Sequence, residues 1–357
     1  MTRIWFDAAH LYYLTQFLPL LRELQRRGAE CGFVFHHREE SRATGEKATR
    51  ELGLDPVWVS SKDEAFDHYA AQRPDWVVFG GGFSRAPELP EGVRTAMLYH
   101  GIGMKADVYH PGLMRMHVRF VEGPHYTRTL RAEFPDARIE EVGYAKLDPL
   151  FGDPARRSRF DLGAHGLDPA KPTVMYAPTF YPSSFPLMGN DWPASFSAFN
   201  LIVKPHQFSY TNPRCRSHRK KMRKWSHAPN VHVVPAEAYD PLPYMASADL
   251  LISDASSVLF EFAATGKPVV WCDFLKLRWS YRGPFRYRLE RRMDSSIQRY
   301  ADICAHARSY RELSDVVRRE LAEPERHAPK RREYTAELIG KTDGRVCERI
   351  ANHLLGV

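Results

Sequence analysis

Along the N-terminal part of the chain, short apolar runs alternate with stretches whose apolar residues recur at helical spacing, which predicts strands and helices in turn. "RIWFDAAH" reads as a short strand ending in a loop. In "YLTQFLPLLRELQRRG" that follows, Leu14, Phe17, Leu18, Leu21 and Leu24 share one helical face before a stop at Gly28. "ECGFVFHH" is the next strand. A helical stretch around residues 42–52, "PVWVSS", a helix near residues 63–72, "DWVVFGGG", "RTAMLYHG" and "VRFVEG" continue the order. Such alternation indicates parallel βαβ units.

The pattern restarts after a stretch rich in charge, Gly and Pro at residues 153–172. "TVMYAPT", "FNLIVKPH", "VHVVP", "DLLISD" and "PVVWCD" are strand candidates, with "PLPYMASA" and "SVLFEFAATG" as helices between them. The tail "TDGRVCERIANHLLG" predicts a terminal helix, capped by Thr342 or Asp343, with Val346, Ile350, Ala351, Leu354 and Leu355 on its apolar face. The division expected is therefore an α/β chain with a Rossmann-like domain at residues 1–152, a second at 153–335, and a C-terminal helix at 336–357.

The first strand lacks the G-x-G-x-x-G turn of dinucleotide sites, and "FGGGF" at Gly80 to Gly82 reads better as a tight turn or close backbone approach than as a phosphate cradle. Two Rossmann-like halves without that fingerprint suggest the GT-B plan, in which both domains face an interdomain cleft that takes a nucleotide-activated donor.

Composition narrows the class. A chain of 357 residues exceeds the usual size of one core, and 43% hydrophobic with 26% charged residues excludes large-scale disorder. Its five cysteines are scattered and never spaced as C-x-x-C, which argues against a disulfide framework and a zinc site and fits a reducing cytoplasm. Met1 leads directly into "RIWF", and no apolar run is long enough to span a membrane, so neither a signal peptide nor a transmembrane helix is expected. A net charge of +8 points to an anionic partner without choosing among nucleic acid, lipid headgroups and phosphorylated substrates.

The most informative stretch is "DLLISDASSVLFEFAATGKPVVWCDF", residues 249–274. It places Asp254, Ser256 and Ser257 between a buried strand and a helix start. In doubly wound sheets ligands sit outside the carboxyl ends of the strands, where helix N-termini favour anions. Ser256 and Ser257 therefore suit a diphosphate, and Glu261, one turn on, suits a ribose hydroxyl. The alternative is that Asp254 or Ser256 caps the helix.

This stretch resembles a motif of the CDP-glycerol glycerophosphotransferase family, builders of teichoic-acid-type and capsule polymers, which runs Ser-Asp-Tyr-Ser-Ser, an apolar helix start with an acidic residue, and Gly-Lys-Pro. Ala255 replaces the aromatic and Glu261 stands where Asp is common. Further blocks follow the family's order: "LYHGIGMK", "VGYAKLDPLF", "VMYAPTF", "IVKPHQ" and "TDGRVCERI", together covering about residues 95–350. Ile102 and Gly103 depart from the family's Thr-Pro, and "FYPSS" lacks the Arg that often follows Thr179.

The resemblance implies transfer of a polyol phosphate from CDP-glycerol or another CDP-polyol to a glycan or lipid-linked acceptor. No cofactor is expected, and the sequence shows no metal-ligand cluster of the D-x-D or H-x-x-x-H kind. It makes His100, in a Gly-rich block, the general base toward the acceptor hydroxyl, and an imidazole is well matched to that proton transfer. It makes His206 a donor-phosphate ligand or general acid, supported by Lys204 and Thr179. Asp254, Ser256, Ser257 and Glu261 complete the donor side, and Asp343 with Gly344 either contact the nucleotide or cap the last helix. Asp148 is expected to be structural.

The cationic run "RCRSHRKKMRKW", with Arg214, Arg216, Arg219, Lys220, Lys221, Arg223 and Lys224, shows little apolar face and reads as a surface element for acceptor or anionic-membrane docking. "LKLRWSYRGPFRYRLERR", residues 275–292, mixes arginines with aromatics in a way that also describes a single-stranded nucleic-acid platform. That reading leaves the strand-end histidines and serines unused, so no nucleic acid is expected. Two alternatives stay open: a GT-B enzyme using a UDP-sugar, and a noncatalytic nucleic-acid-binding protein.

Overall fold

The computed structural model describes residues 1–37, 42–102, 106–254 and 256–357; Gly103 and Ala255, which two of the motifs include, lie outside the described residues. The chain divides into two compact units. The first comprises Met1–Ile102, Asp107–Arg156 and Ala336–Val357, and the second is built on Arg157–Thr335.

Among the described residues, the first unit carries a seven-stranded parallel sheet: β1 (Arg3–Ala8), β2 (Glu30–His36), β3 (Val57–Val59), β4 (Trp76–Phe79), β5 (Arg94–Leu98), β6 (Val118–Val121) and β7 (Ile139–Glu141). Their order is β3-β2-β1-β4-β5-β6-β7, so the winding reverses between β1 and β4. The apolar runs "WVVF" and "VRFV" are buried along their whole length, as a parallel strand covered on both faces requires. Helix Leu14–Arg26 buries Leu14, Phe17, Leu18, Leu21 and Leu24, the stripe its spacing predicts.

The second unit repeats the plan with six strands: β8 (Thr173–Tyr176), β9 (Asn200–Val203), β10 (Val231–Val233), β11 (Leu250–Ser253), β12 (Val269–Cys272) and β13 (Ala305–Ala307). They are ordered β10-β9-β8-β11-β12-β13, and the reversal falls between β8 and β11. Val174, Tyr176, Leu201, Trp192 and Trp225 belong to its buried core.

Three expectations change. The basic run forms helix Arg216–Trp225, and it does have an apolar face: His218, Met222 and Trp225, at i, i+4 and i+7, are buried. Lys221, expected among the docking cations, is half-buried; its Nζ donates to the carbonyls of Phe185, Pro186 and Met188, and burial pushes its pKa down to about 8. Arg219 likewise donates from Nη1 to the carbonyls of Tyr210 and Asn212. Both cations are thus tied to backbone carbonyls of the second unit.

The last correction concerns the terminal helix, Val346–Leu355, which packs in the first unit and accepts no cap from Thr342 or Asp343. Instead, the Asp148 carboxylate accepts from the N–H groups of Val346 (3.0 Å) and Cys347 (2.6 Å). A carboxylate far away in sequence supplies the two acceptors that the helix start needs. Asp343 is occupied otherwise: it accepts from Arg345 N and pairs with the Arg349 guanidinium through both oxygens, which holds its carboxyl below the usual range. Gly344 has φ +68°, and a Cβ there would lie 2.5 Å from Gly152 N, so this turn demands glycine. The block "TDG" thus closes the first unit's tail.

Candidate active site

In the first unit, the carboxyl ends of β4 and β5 set the geometry. β4 ends into Gly80, and β5 runs through Leu98 to Tyr99 and His100. The ring nitrogen Nδ1 of His100 lies 2.8 Å from the Gly80 carbonyl oxygen. A carbonyl only accepts, so Nδ1 carries the proton and Nε2 is the basic nitrogen of the neutral ring. The imidazole stacks on Tyr13 at 4.6 Å between centroids, with Tyr12 and Tyr99 beside it. Gly80 admits that stack, because a Cβ there would sit 2.4 Å from the Tyr13 ring. The triple-glycine turn is therefore a close-approach device. Tyr144, from the "VGYAKLD" block, donates its hydroxyl to the His100 carbonyl at 3.4 Å, joining two of the motif blocks.

Tyr12 and Tyr13 were not among the residues the sequence singled out. Their signal is weak but present: "LYY" directly follows the first strand's end, where a ligand-facing loop is due. The same edge carries a second polar group, in which Asp7 Oδ2 meets His36 Nε2 at 2.8 Å and accepts from the Tyr69 hydroxyl at 2.9 Å.

In the second unit three blocks meet at the carboxyl ends of three adjacent strands. Thr179 follows β8, Lys204 and His206 follow β9, and Asp254 to Ser257 follow β11, on either side of the point where the winding reverses. Lys204 N donates to the Tyr176 carbonyl and His206 N to that of Pro178, so the two loops leave the sheet side by side. His206 is fixed the opposite way to His100. Its Nδ1 accepts from Phe208 N at 3.1 Å, which leaves Nε2 as the protonated, donating nitrogen, and its ring packs between Phe180 and Phe208.

Asp254 holds this corner together. It has no exposed surface and accepts from Thr179 N (2.7 Å), Ser184 N (2.8 Å), Ser184 Oγ (2.8 Å) and Ser183 Oγ (3.3 Å). Burial raises its pKa to about 6 against the pull of those bonds. The expected donor contact is thus a buried tie between the "YAPTF" and "SDASS" blocks. Glu261 is also fully buried, and its carboxylate accepts from Ser257 Oγ at 3.1 Å, so it orients that serine rather than facing outward. Ser256 and Ser257 are partly exposed. The lysine of "GKP", Lys267, donates to the carbonyls of Met245, Ala246 and Ala248 and so closes the end of helix Leu242–Ser247.

Residues 114–356, well over half of the chain, match the family model for CDP-Glycerol:Poly(glycerophosphate) glycerophosphotransferase. The chain belongs to this family. No curated protein matches it. Among solved structures, a variant of the wall teichoic acid polymerase TagF aligns with a TM-score of 0.67 at 14% identity, over 99% of this chain and 88% of that one. TagF soaked with CDPG gives 0.65 at 12%, over the same shares. The UDP-GlcNAc 2-epimerase of Neisseria meningitidis, bound to UDP-GlcNAc, gives 0.62 at 13% over all of both chains. Identity this low speaks to architecture alone, which is GT-B-like α/β. Because polymerase and epimerase share that architecture, the family match and not the fold separates glycerophosphotransferase from UDP-sugar chemistry. No helix among the described residues is long and apolar enough to cross a membrane.

Proposed function

We propose that this glycerophosphotransferase-family chain moves a polyol phosphate, most simply glycerol phosphate, from a CDP-activated donor to a hydroxyl on a glycan, lipid-linked glycan or growing polymer. The acceptor oxygen attacks the phosphorus that bears the polyol, its proton passes to His100 Nε2, and the bond to the CMP oxygen breaks with its electron pair. His206 Nε2–H donates to the departing phosphate, while Lys204, Ser256 and Ser257 offset its charge. Thr179 and Asp254 hold the donor-side loops in place, and Glu261 orients Ser257. The observation that supports the reading is the pair of opposite main-chain contacts, His100 Nδ1 on the Gly80 carbonyl and His206 Nδ1 on the Phe208 N–H, which suits the first ring to take a proton at Nε2 and the second to give a hydrogen bond there.

Acceptors of this kind are met at the inner face of a cytoplasmic membrane, where the chain would work as a peripheral enzyme. The purified protein should be incubated separately with CDP-glycerol, CDP-ribitol and UDP-N-acetylglucosamine, following melting temperature and nucleotide release. A ligand at a hundred times its Kd stabilises the native state by about 2.7 kcal/mol. Stabilisation by a CDP-polyol with slow release of CMP is the expected result. Stabilisation by the UDP-sugar alone would overturn the donor assignment.

A further inference from the structure

The two basic runs turn out to differ in kind. In helix Arg216–Trp225 the side chains of His218, Met222 and Trp225 are buried, Arg216, Lys220, Arg223 and Lys224 are exposed, and the helix itself carries no exposed aromatic ring. Residues 275–292 show the reverse arrangement. They form two single turns, Trp279–Tyr281 and Gly283–Phe285, and a short helix, Tyr287–Arg292. Trp279 is 76% exposed and Tyr287 44%, with the exposed Arg282, Arg286, Arg288 and Arg291 around them. The segment's one carboxylate, Glu290, is paired with Arg286.

We propose that residues 275–292 form a docking face for an anionic lipid surface. An indole and a phenol left in water beside arginines match the headgroup level of a bilayer, which accepts amphipathic rings and attracts cations together. A nucleic-acid platform needs ring faces open to bases. Here the Arg288 guanidinium lies over Phe285 at 4.8 Å and Arg291 lies over Tyr287 at 5.4 Å, so two of the rings already carry a cation on one face.

The face is anchored to the donor-side scaffold. Arg278 N donates to the Tyr181 hydroxyl and its guanidinium lies 3.7 Å over that ring, while Lys276 N donates to the Ser183 carbonyl. Ser183 is one of the groups on Asp254. A lipid-linked acceptor would thus be met by the unit that carries the donor loops; this consequence rests on the function proposed above, whereas lipid binding itself does not.

The test is co-sedimentation of the intact protein, without nucleotide, with vesicles of equimolar phosphatidylglycerol and phosphatidylcholine or of phosphatidylcholine alone. Binding to the anionic vesicles only, weakened by salt, is expected, with a blue shift in tryptophan emission. Trp279 is the exposed tryptophan, so Trp279→Phe should abolish the shift while leaving most of the binding. Each cation at such a surface is worth about fivefold in affinity, so Arg282→Gln, Arg286→Gln, Arg288→Gln and Arg291→Gln combined should weaken binding several-hundred-fold. Neutralising the exposed cations Arg216, Lys220, Arg223 and Lys224 should leave it within a few-fold. The proposal fails if anionic vesicles are not bound, if the second set matters more than the first, or if an oligouridylate is retained under salt conditions that release the vesicles. Donor turnover in detergent-free solution is read separately, so failure of lipid docking and failure of the transfer reading are distinguishable.

Discussion

The two strand-end sites use the same residue type under opposite constraints. His100 in the first unit leans on a backbone carbonyl and a wall of tyrosine rings, whereas His206 in the second leans on a backbone amide and a corner built around a buried carboxylate. Main-chain partners cannot change protonation, so each tautomer is fixed by the fold. The difference teaches that a main-chain partner decides which ring nitrogen of each neutral imidazole carries the proton, and that the buried carboxylate Asp254 is tied directly into the loops of the second site, whereas the first unit's Asp7 pairs with His36 and Tyr69.

The comparison breaks most directly at the histidines. His100→Ala should lower turnover by about 10²–10⁴-fold, the usual worth of a positioned general base, and leave the CDP-polyol melting shift intact. Unchanged turnover would remove the assigned base. His206→Ala should lower turnover by roughly 10²–10³-fold and also shrink the donor-induced melting shift, since it removes a donor aimed at the departing phosphate. If His206→Ala kept the full shift while His100→Ala lost it, the two roles would be exchanged.

The ionisable group beneath the second site gives the next effect. Asp254→Ala leaves the Thr179 and Ser184 N–H groups buried without acceptors, a loss of roughly 3–5 kcal/mol from two such groups and the hydroxyl bonds. The same carboxyl has a folded pKa of about 6, above its ordinary value. The folded chain then holds this proton more tightly than the unfolded chain, so its contribution is complete below about pH 4 and is lost as pH rises through about 6. A shift of that size corresponds to about 3 kcal/mol. Chemical denaturation of wild type and Asp254→Asn between pH 4 and 7 should show a difference that changes over that window; a constant difference would mean the carboxyl titrates normally.

Much of this was legible beforehand because parallel strands covered on both faces must be near-continuous apolar runs, and such runs mark nearly every strand. β7 and β13 escaped because "IEE" and "AHA" are three residues long and carry little apolar signal. The order of the motif blocks located His100, Thr179, His206 and Asp254 at strand ends. What each does there was not legible, because the deciding partners are remote in sequence or belong to the backbone: the Gly80 carbonyl for His100, Thr179 N and Ser184 N for Asp254. The same blindness affected the basic helix. Counting cations in "RCRSHRKKMRKW" hid the i, i+4, i+7 stripe of His218, Met222 and Trp225, and nothing local announces that Lys221 reaches back to three carbonyls.

The smallest effect sharpens the comparison from the first unit's side, which has its own structural carboxylate. Asp148, like Asp254, is a buried acceptor of two backbone N–H groups whose pKa is raised by burial. It differs in what it secures. Asp254 ties together loops that carry candidate donor contacts, while Asp148 caps helix Val346–Leu355, which is also held by the Arg349–Asp343 pair and by Trp76 Nε1 donating to the Leu354 carbonyl. Asp148→Ala should therefore cost about 1–2 kcal/mol, the range for a lost helix cap, with turnover per folded molecule unchanged. Asp148→Asn, which keeps one acceptor, should recover part of that loss. A fall in turnover out of proportion to the lost stability would show that the "TDG" end of the chain, through Asp343 and Gly344, takes part in the reaction after all.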